Sequence, residues 1–266
     1  MFSKIALVTT IENNIDNKNS KFLGIERKYF DEALKCFESW EKFHPEIKKY
    51  TICPTKATLN ESEIEQLKEI NVTYIEKYFP ESEEYENGFI NVDLSTAYLE
   101  EILEEDIFIH TDLDMTLLKK LPDSLFKGLD MGKIKCGMYD AESRKSQRVD
   151  YDTGFTISLR KSRFYDFYWK VVKQILEGII KLPEGVTYYD IEEYAMGLIE
   201  SDTYWNIIPL LKYQVGEGYP SVDFFTDLEL EGIYFWHEHL VNDKKENLIK
   251  EKIKLFKRVK DLKNRK

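Results

Sequence analysis

Over its first 111 residues the chain alternates short apolar runs with amphipathic segments, and this order admits few folds. Lys4 to Thr9 is a compact apolar run that reads as a buried strand. From Tyr29 to Phe43 the apolar residues Phe30, Ala33, Leu34, Phe37, Trp40 and Phe43 recur at three and four spacing, the mark of a helix with one buried face. Tyr50 to Cys53 reads as a second strand stopped by Pro54. Asn60 with Glu63 makes a capping signature for a helix running through Ile70. Val72 to Ile75 follows as a third strand, Ser95 to Leu103 as a helix and Asp106 to His110 as a fourth strand. A β-α-β-α-β-α-β order predicts a mostly parallel sheet covered by helices. Such sheets bind ligands beyond the C-terminal ends of their strands.

Beyond residue 116 the alternation loosens. Ile134 to Tyr139, Gly154 to Leu159 and Gly232 to His237 read as strands, and Lys161 to Glu177, Ile191 to Ile199 and the tail from Lys244 as helices. With no repeat and no Gly/Pro/Ser-rich linker, the expectation is one α/β domain over 1–240. It divides into a nucleotide-binding half over 1–116 and a more mixed half over 117–240, followed by a C-terminal helix over 241–266.

Charge narrows the function classes. The net charge is −11, which disfavours a protein built to grip nucleic acid. Residues 241–266 alone carry eleven Lys/Arg against four Asp/Glu, so an acidic body bears a basic tail. Leu248, Ile249, Ile253, Leu255, Phe256, Val259 and Leu262 share about half a helical wheel there. Such a helix either lies on an anionic membrane surface or docks on its own acidic body or on a second copy. Cys36, Cys53 and Cys136 are odd in number and form no C-x-x-C, which predicts free buried thiols. No apolar run is long enough to span a bilayer, so the expectation is a soluble cytoplasmic protein, with peripheral membrane contact through the tail as an option.

The chemistry concentrates at Ile107-Phe108-Ile109-His110-Thr111-Asp112-Leu113-Asp114. In extended chain, residues two apart project to one side, so Asp112 and Asp114 present paired carboxylates at the ligand-binding rim and Leu113 turns away. Two close carboxylates repel each other, and a divalent cation relieves that repulsion while adding affinity for phosphate oxygens. Spacing alone proves little. With eighteen aspartates in the chain about one D-x-D arises by chance, and Asp150-Tyr151-Asp152 is a second example. The apolar strand running directly into Asp112 carries the weight.

This stretch resembles the DxD motif of GT-A-fold glycosyltransferases, and the order of motifs is similar to family 8-type enzymes such as lipopolysaccharide galactosyltransferases and glycogenin. Four further segments between Lys4 and Leu240 carry the likeness. Lys4 to Thr10 resembles the opening strand, Tyr151 to Leu159 the segment near donor sugar and acceptor, Tyr189 to Tyr194 the acidic helix start, and Ile233 to His239 the late strand with a metal-binding histidine. The resemblance implies a metal-dependent transfer of a sugar from a nucleotide sugar, with UDP as the carrier, to a glycan, glycolipid or protein acceptor. It implies Mn²⁺ or Mg²⁺ held by Asp112, Asp114 and either His237 or His239. Thr9, Thr10, Ile11, Leu113, Thr153 and Gly154 are then placed with the donor nucleotide, together with the two aspartates. Asp152, Asp190, Glu192 and Glu193 supply carboxylates at the reacting carbon. Asp152 replaces the family's usual asparagine, which leaves retention or inversion of the sugar configuration open.

Two rivals use the same residues. Asp112-Leu113-Asp114-Met115-Thr116 fits the D-x-D-x-T of haloacid-dehalogenase-type phosphatases, with Asp223 and Asp227 as a D-x-x-x-D for Mg²⁺. In those proteins the motif ends the first strand, whereas here it ends the fourth. A noncatalytic sugar- or nucleotide-binding scaffold is the other. His110 reads as structural, and His44 as a partner for the end of the preceding helix.

Overall fold

The computed structural model describes residues 4–11, 29–83, 88–138, 151–187, 190–202, 204–210, 214–216, 223, 226–237 and 245–264. A seven-stranded sheet organises them, with spatial order β3-β2-β1-β4-β7-β6-β8. Its strands are β1 (Ile5–Thr10), β2 (Lys48–Cys53), β3 (Val72–Glu76), β4 (Ile107–Thr111), β6 (Lys133–Met138), β7 (Tyr151–Leu159) and β8 (Asn206–Leu210). The first four are mutually parallel, β7 runs antiparallel to both β4 and β6, and β8 is parallel to β6. A smaller sheet has the order β5-β10-β9, from Met115–Leu117, Phe235–His237 and Gln214–Gly216. The α/β class with a largely parallel centre is therefore as the sequence predicts, and the main sheet takes strands from both sides of position 116, which itself lies in β5 of the smaller sheet.

Helices cover both faces. On one lie α1 (Tyr29–Phe43) and α2 (Glu61–Glu69); on the other lie α3 (Gly88–Ile102), α4 (Phe164–Leu176) and α5 (Ile191–Asp202). The period of two along β1 assigns the faces. Ala6 and Val8 pack with Ile90, Phe164 and Ile191, while Leu7 packs with Ala33, Phe37 and Trp40. β4 divides likewise, Phe108 toward α3 and α4, Ile107 and Ile109 toward α1. Central strands buried on both faces read as continuous apolar runs, which is why β1 and β4 are conspicuous in the sequence.

Local signals set the element ends. Asn60 accepts from the Glu63 N–H at 3.0 Å, and the Glu63 carboxylate accepts from the Asn60 N–H at 2.9 Å, closing the capping box ahead of α2. His44 departs from the expected role of charge partner. Its Nε2 accepts from the Leu121 N–H at 2.8 Å and its Nδ1 lies 2.9 Å from Glu46, so it ties α1 to the segment after β5. Burial pushes its pKa down, which keeps it neutral and able to accept.

The last helices form a third core. In α6 (Asp227–Gly232) and α7 (Lys245–Asn264), Leu230, Leu255 and Val259 enclose Leu118, Ile233 and Trp236. Gly232 thus ends a helix, and the strand expected from Gly232 begins only at Phe235. The C-terminal helix docks on its own body through Leu255 and Val259, while Ile253 and Phe256 remain 63% and 42% exposed. Among the described residues no helix is long and apolar enough to cross a membrane. All three cysteines are free and buried.

Candidate active site

β4 ends at Thr111, and the chain turns at once. The Asp112 N–H donates to the Gly154 carbonyl at 2.9 Å, and the Met115 N–H donates to the Asp112 carbonyl at 3.2 Å. That turn separates β4 from β5 and carries both aspartates, while Leu113 packs against the α1-side core. β5 pairs with β10 so that Met115 lies opposite His237. His237 is fully buried, and the ladder brings its imidazole against the two acids. Nε2 lies 3.2 Å from Asp114 Oδ1 and 3.7 Å from Asp112 Oδ2.

A register jump brings in the third acid. Cys136 pairs with Thr156, but the next residue of β6, Gly137, pairs with Asp152. The intervening residues of β7 arch over the end of β4, with Phe155 opposite Thr111. Asp152 Oδ2 reaches to 3.5 Å from His237 Nδ1, and its Oδ1 accepts the Gly154 N–H at 3.0 Å. Gly154 itself is required by space. A Cβ there would sit 2.5 Å from Asp112 Oδ2 and 3.0 Å from Asp152 Oδ1.

The electrostatics call for positive charge. Burial alone would depress the His237 pKa, yet the Asp114 and Asp152 carboxylates outweigh it and hold it well above the usual histidine value. A divalent cation meets the same demand. One ligand atom each from Asp112, Asp114 and His237 lie within 4.8 Å of one another, and two hard oxygens with one imidazole suit Mn²⁺ or Mg²⁺. The residues therefore fit a metal. Cys36 lies nearby, its Sγ 3.8 Å from the Asp112 carbonyl, and burial, followed by the charges of Asp114 and Asp112, drives its thiol pKa far upward in the absence of a cation.

The remaining predicted residues fall in three places. Thr9, Thr10 and Ile11 are buried at the end of β1, whose pairing of Val8 with His110 sets Thr10 level with Asp112. Thr10 Oγ1 is buried without a hydrogen-bond partner among the described residues. Thr153 lines a small cavity beside Asp112 together with Glu192. Glu193 follows on α5, and burial pushes its pKa up to about 8, with Asp152, Asp190 and Asp112 adding to the rise. Asp190 is turned elsewhere. Its Oδ2 accepts from the Thr187 N–H at 2.7 Å and from the Thr187 hydroxyl at 2.6 Å, an arrangement that orders the start of α5. His239 lies outside the described residues, as do Tyr188 and Tyr189 of the acidic segment.

Sequence reading missed Asp93. It sits on α3, only 6% exposed, and lines the same cavity. Burial, followed by the charges of Glu193 and Asp112, pushes its pKa well up. The available signal was a polar series, Asn91, Asp93, Ser95 and Thr96, in a helix buried nearly all round.

No family model and no curated protein sequence matches the chain. Among solved structures, the apo form of the glycosyltransferase GlyE from Streptococcus pneumoniae TIGR4 superposes with a TM-score of 0.54 at 13% identity, covering 91% of this chain and 56% of that one. A second GlyE structure gives a TM-score of 0.49 at 12% identity, over 82% of this chain and 48% of that one. The chain thus has the GT-A-like fold of a glycosyltransferase while spanning about half of GlyE's length.

Proposed function

We propose that the protein is a metal-dependent glycosyltransferase that moves a sugar from a nucleotide sugar, with UDP as carrier, to an acceptor hydroxyl. The observation that carries this reading is the convergence of Asp112, Asp114 and His237 at the C-terminal rim of a glycosyltransferase-like sheet. Glycosyl transfer expels a nucleoside diphosphate, so negative charge grows on the leaving group. Asp112, Asp114 and His237 would hold Mn²⁺ or Mg²⁺, which supplies Lewis-acid stabilisation of that charge when bound. Asp152 keeps the imidazole oriented through Nδ1 and receives the Gly154 N–H, which fixes the arch beside Asp112. Glu192 and Glu193, in the first turn of α5, would supply the carboxyl groups for the electron-poor sugar carbon. Thr9, Thr10 and Ile11 form the rim on which the base would rest.

The phosphatase alternative is disfavoured by the second acid pair. Asp223 Oδ2 lies 2.8 Å from Lys254 and Asp227 Oδ1 lies 3.0 Å from Arg258, so both carboxylates serve to seat α7. The acceptor class under this reading is a glycan, a glycolipid or a protein. For a lipid-linked acceptor, the exposed Ile253 and Phe256, interspersed with Lys257 and Lys260 on α7, would meet an anionic bilayer.

A thermal-shift and turnover panel of UDP- and GDP-sugars, with Mn²⁺ and with EDTA, tests the reading. Metal-assisted donor binding with release of the nucleoside diphosphate is the expected result. Donor binding without turnover on any acceptor would make the protein a binding scaffold instead.

A further inference from the structure

Behind Asp112 lies a cavity of about 20 Å³, walled by α3, β4, β7, α4 and α5. It has room for one water-sized group. Its titratable acids and imidazole are Asp93, Asp112, Glu192 and His110, set among threonine and tyrosine hydroxyls, and no lysine or arginine is among its lining residues. Asp93 is 6% exposed and its Oδ2 has no hydrogen-bond partner among the described residues. His110 is 7% exposed, and its Nε2 has none either. Glu193, next along α5, carries a buried Oε2 with no hydrogen-bond partner among the described residues. Two separate elements, helix α3 and strand β4, thus bring unsatisfied polar atoms to one enclosed space. Buried polar groups without partners are uncommon in folded proteins, and a ligand group is one way to satisfy them.

We propose that Asp93 is a specificity-determining residue of the donor pocket, receiving a hydroxyl of a neutral sugar and excluding donors whose sugar carries a carboxylate. The inference rests on the glycosyl-transfer reading and extends it to the class of donor. A hydroxyl both donates and accepts, so it can satisfy a carboxyl oxygen and an imidazole nitrogen whichever protonation state each holds. A sugar carboxylate would have to enter as a buried charge, or force a proton onto itself, in a space lined by the carboxyl groups of Asp93, Asp112 and Glu192. No cationic side chain lines the wall to offset that charge, and the enclosure removes the water that would screen it.

The experiment compares UDP-glucose and UDP-galactose with UDP-glucuronate and UDP-galacturonate on the full chain in Mn²⁺, reading kcat/KM for UDP release. The wild type is expected to favour the neutral donors by at least ~100-fold, and Asp93→Asn to shrink that ratio by about 10-fold. Efficient use of uronates by the wild type, or an unchanged ratio in Asp93→Asn, overturns the proposal. If the variant fails to fold, calorimetric competition on the wild type decides: UDP-glucuronate binding as tightly as UDP-glucose overturns it. UDP and GDP alone serve as the controls for the underlying reading, since neither has a donor sugar to meet the wall. Failure of both UDP and GDP to bind in Mn²⁺ overturns glycosyl transfer itself, whereas nucleotide binding without discrimination among sugars overturns only the role of Asp93.

Discussion

His237 Nε2 lies 3.2 Å from Asp114 Oδ1 because Met115, the residue after Asp114, is the ladder partner of His237. Two segments more than a hundred residues apart are therefore locked into one constellation by a three-residue strand pair. The pairing makes Asp114 the acid most tightly tied to the imidazole, and its removal the sharpest test of metal binding. In Asp114→Ala, Mn²⁺-dependent UDP binding is expected to weaken by at least ~100-fold, since loss of even an outer-shell partner costs about 10- to 100-fold in affinity. The far-ultraviolet circular dichroism is expected to match the wild type, because the position lies in a turn outside the main sheet. Calorimetric titration of UDP in Mn²⁺ and in EDTA measures the effect.

Gly154→Ala tests the arch of β7. A methyl group there meets Asp112 Oδ2 at 2.5 Å, so either the aspartate or the arch must move. Overpacking of this kind costs about 1–3 kcal/mol, and here the strain falls on a proposed metal ligand. The expected outcome is a lower melting temperature together with a loss of Mn²⁺-dependent stabilisation. A metal response equal to that of the wild type would show that Asp112 can rotate away without consequence.

Acidity gives a third test. The His237 pKa is raised in the folded state, so its contribution to stability is fully present below the unfolded value and is lost as pH rises through the folded one. Burial raises the carboxyl pKa of Glu100 and of Glu193 to about 8, and for such acids the folded state also binds the extra proton. Stability from these groups therefore falls as pH climbs from their unfolded values toward 8. His110 acts in the opposite sense, since burial pushes its pKa down to about 4, but its contribution is complete above about 6.5. Between pH 6.5 and 8 the His110 contribution is constant, while His237, Glu100, Glu193 and the likewise raised Asp93 and Glu192 act in one direction. In EDTA the melting temperature is expected to decline across that window. Mn²⁺ is expected to flatten the decline by replacing the His237 proton, and thermal melts at several pH values measure both slopes.

How much of this was legible depended on length and on burial. β1 and β4 are apolar runs buried on both faces, and the Asn60/Glu63 box marks α2 to the residue. Asp112 and Asp114 stood out because such a run leads straight into them. β5 and β9 are three residues each, too short for a period to show, and β8 carries Pro209 on the edge of the sheet, a residue that argues against a strand. Asp152 was visible only through family likeness, since its place beside His237 depends on a register jump that no local pattern encodes. Asp93 was hidden for a different reason: it falls ahead of the helix read from Ser95, and only the longer α3, with α4 and α5 packed over it, buries it.

The last prediction concerns the C-terminal helix. Trp236 precedes His237 on β10 and is buried against Leu255 and Val259 of α7, so the strand that presents the imidazole is buttressed by a helix near the end of the chain. Leu255 is fully buried, and truncating it to alanine removes contacts that typically contribute about 2–5 kcal/mol. If α7 served only as a surface anchor, Leu255→Ala would loosen the tail and leave the site untouched. If it braces β10, the same substitution should weaken Mn²⁺-dependent UDP binding several-fold, although Leu255 is no ligand. Phe256→Ala is the paired control, because that side chain is 42% exposed and is not part of the Trp236 cluster. The expected result is reduced metal-dependent binding for Leu255→Ala and near wild-type binding for Phe256→Ala, measured by calorimetry under identical salt. Equal behaviour of the two variants would remove the buttressing role.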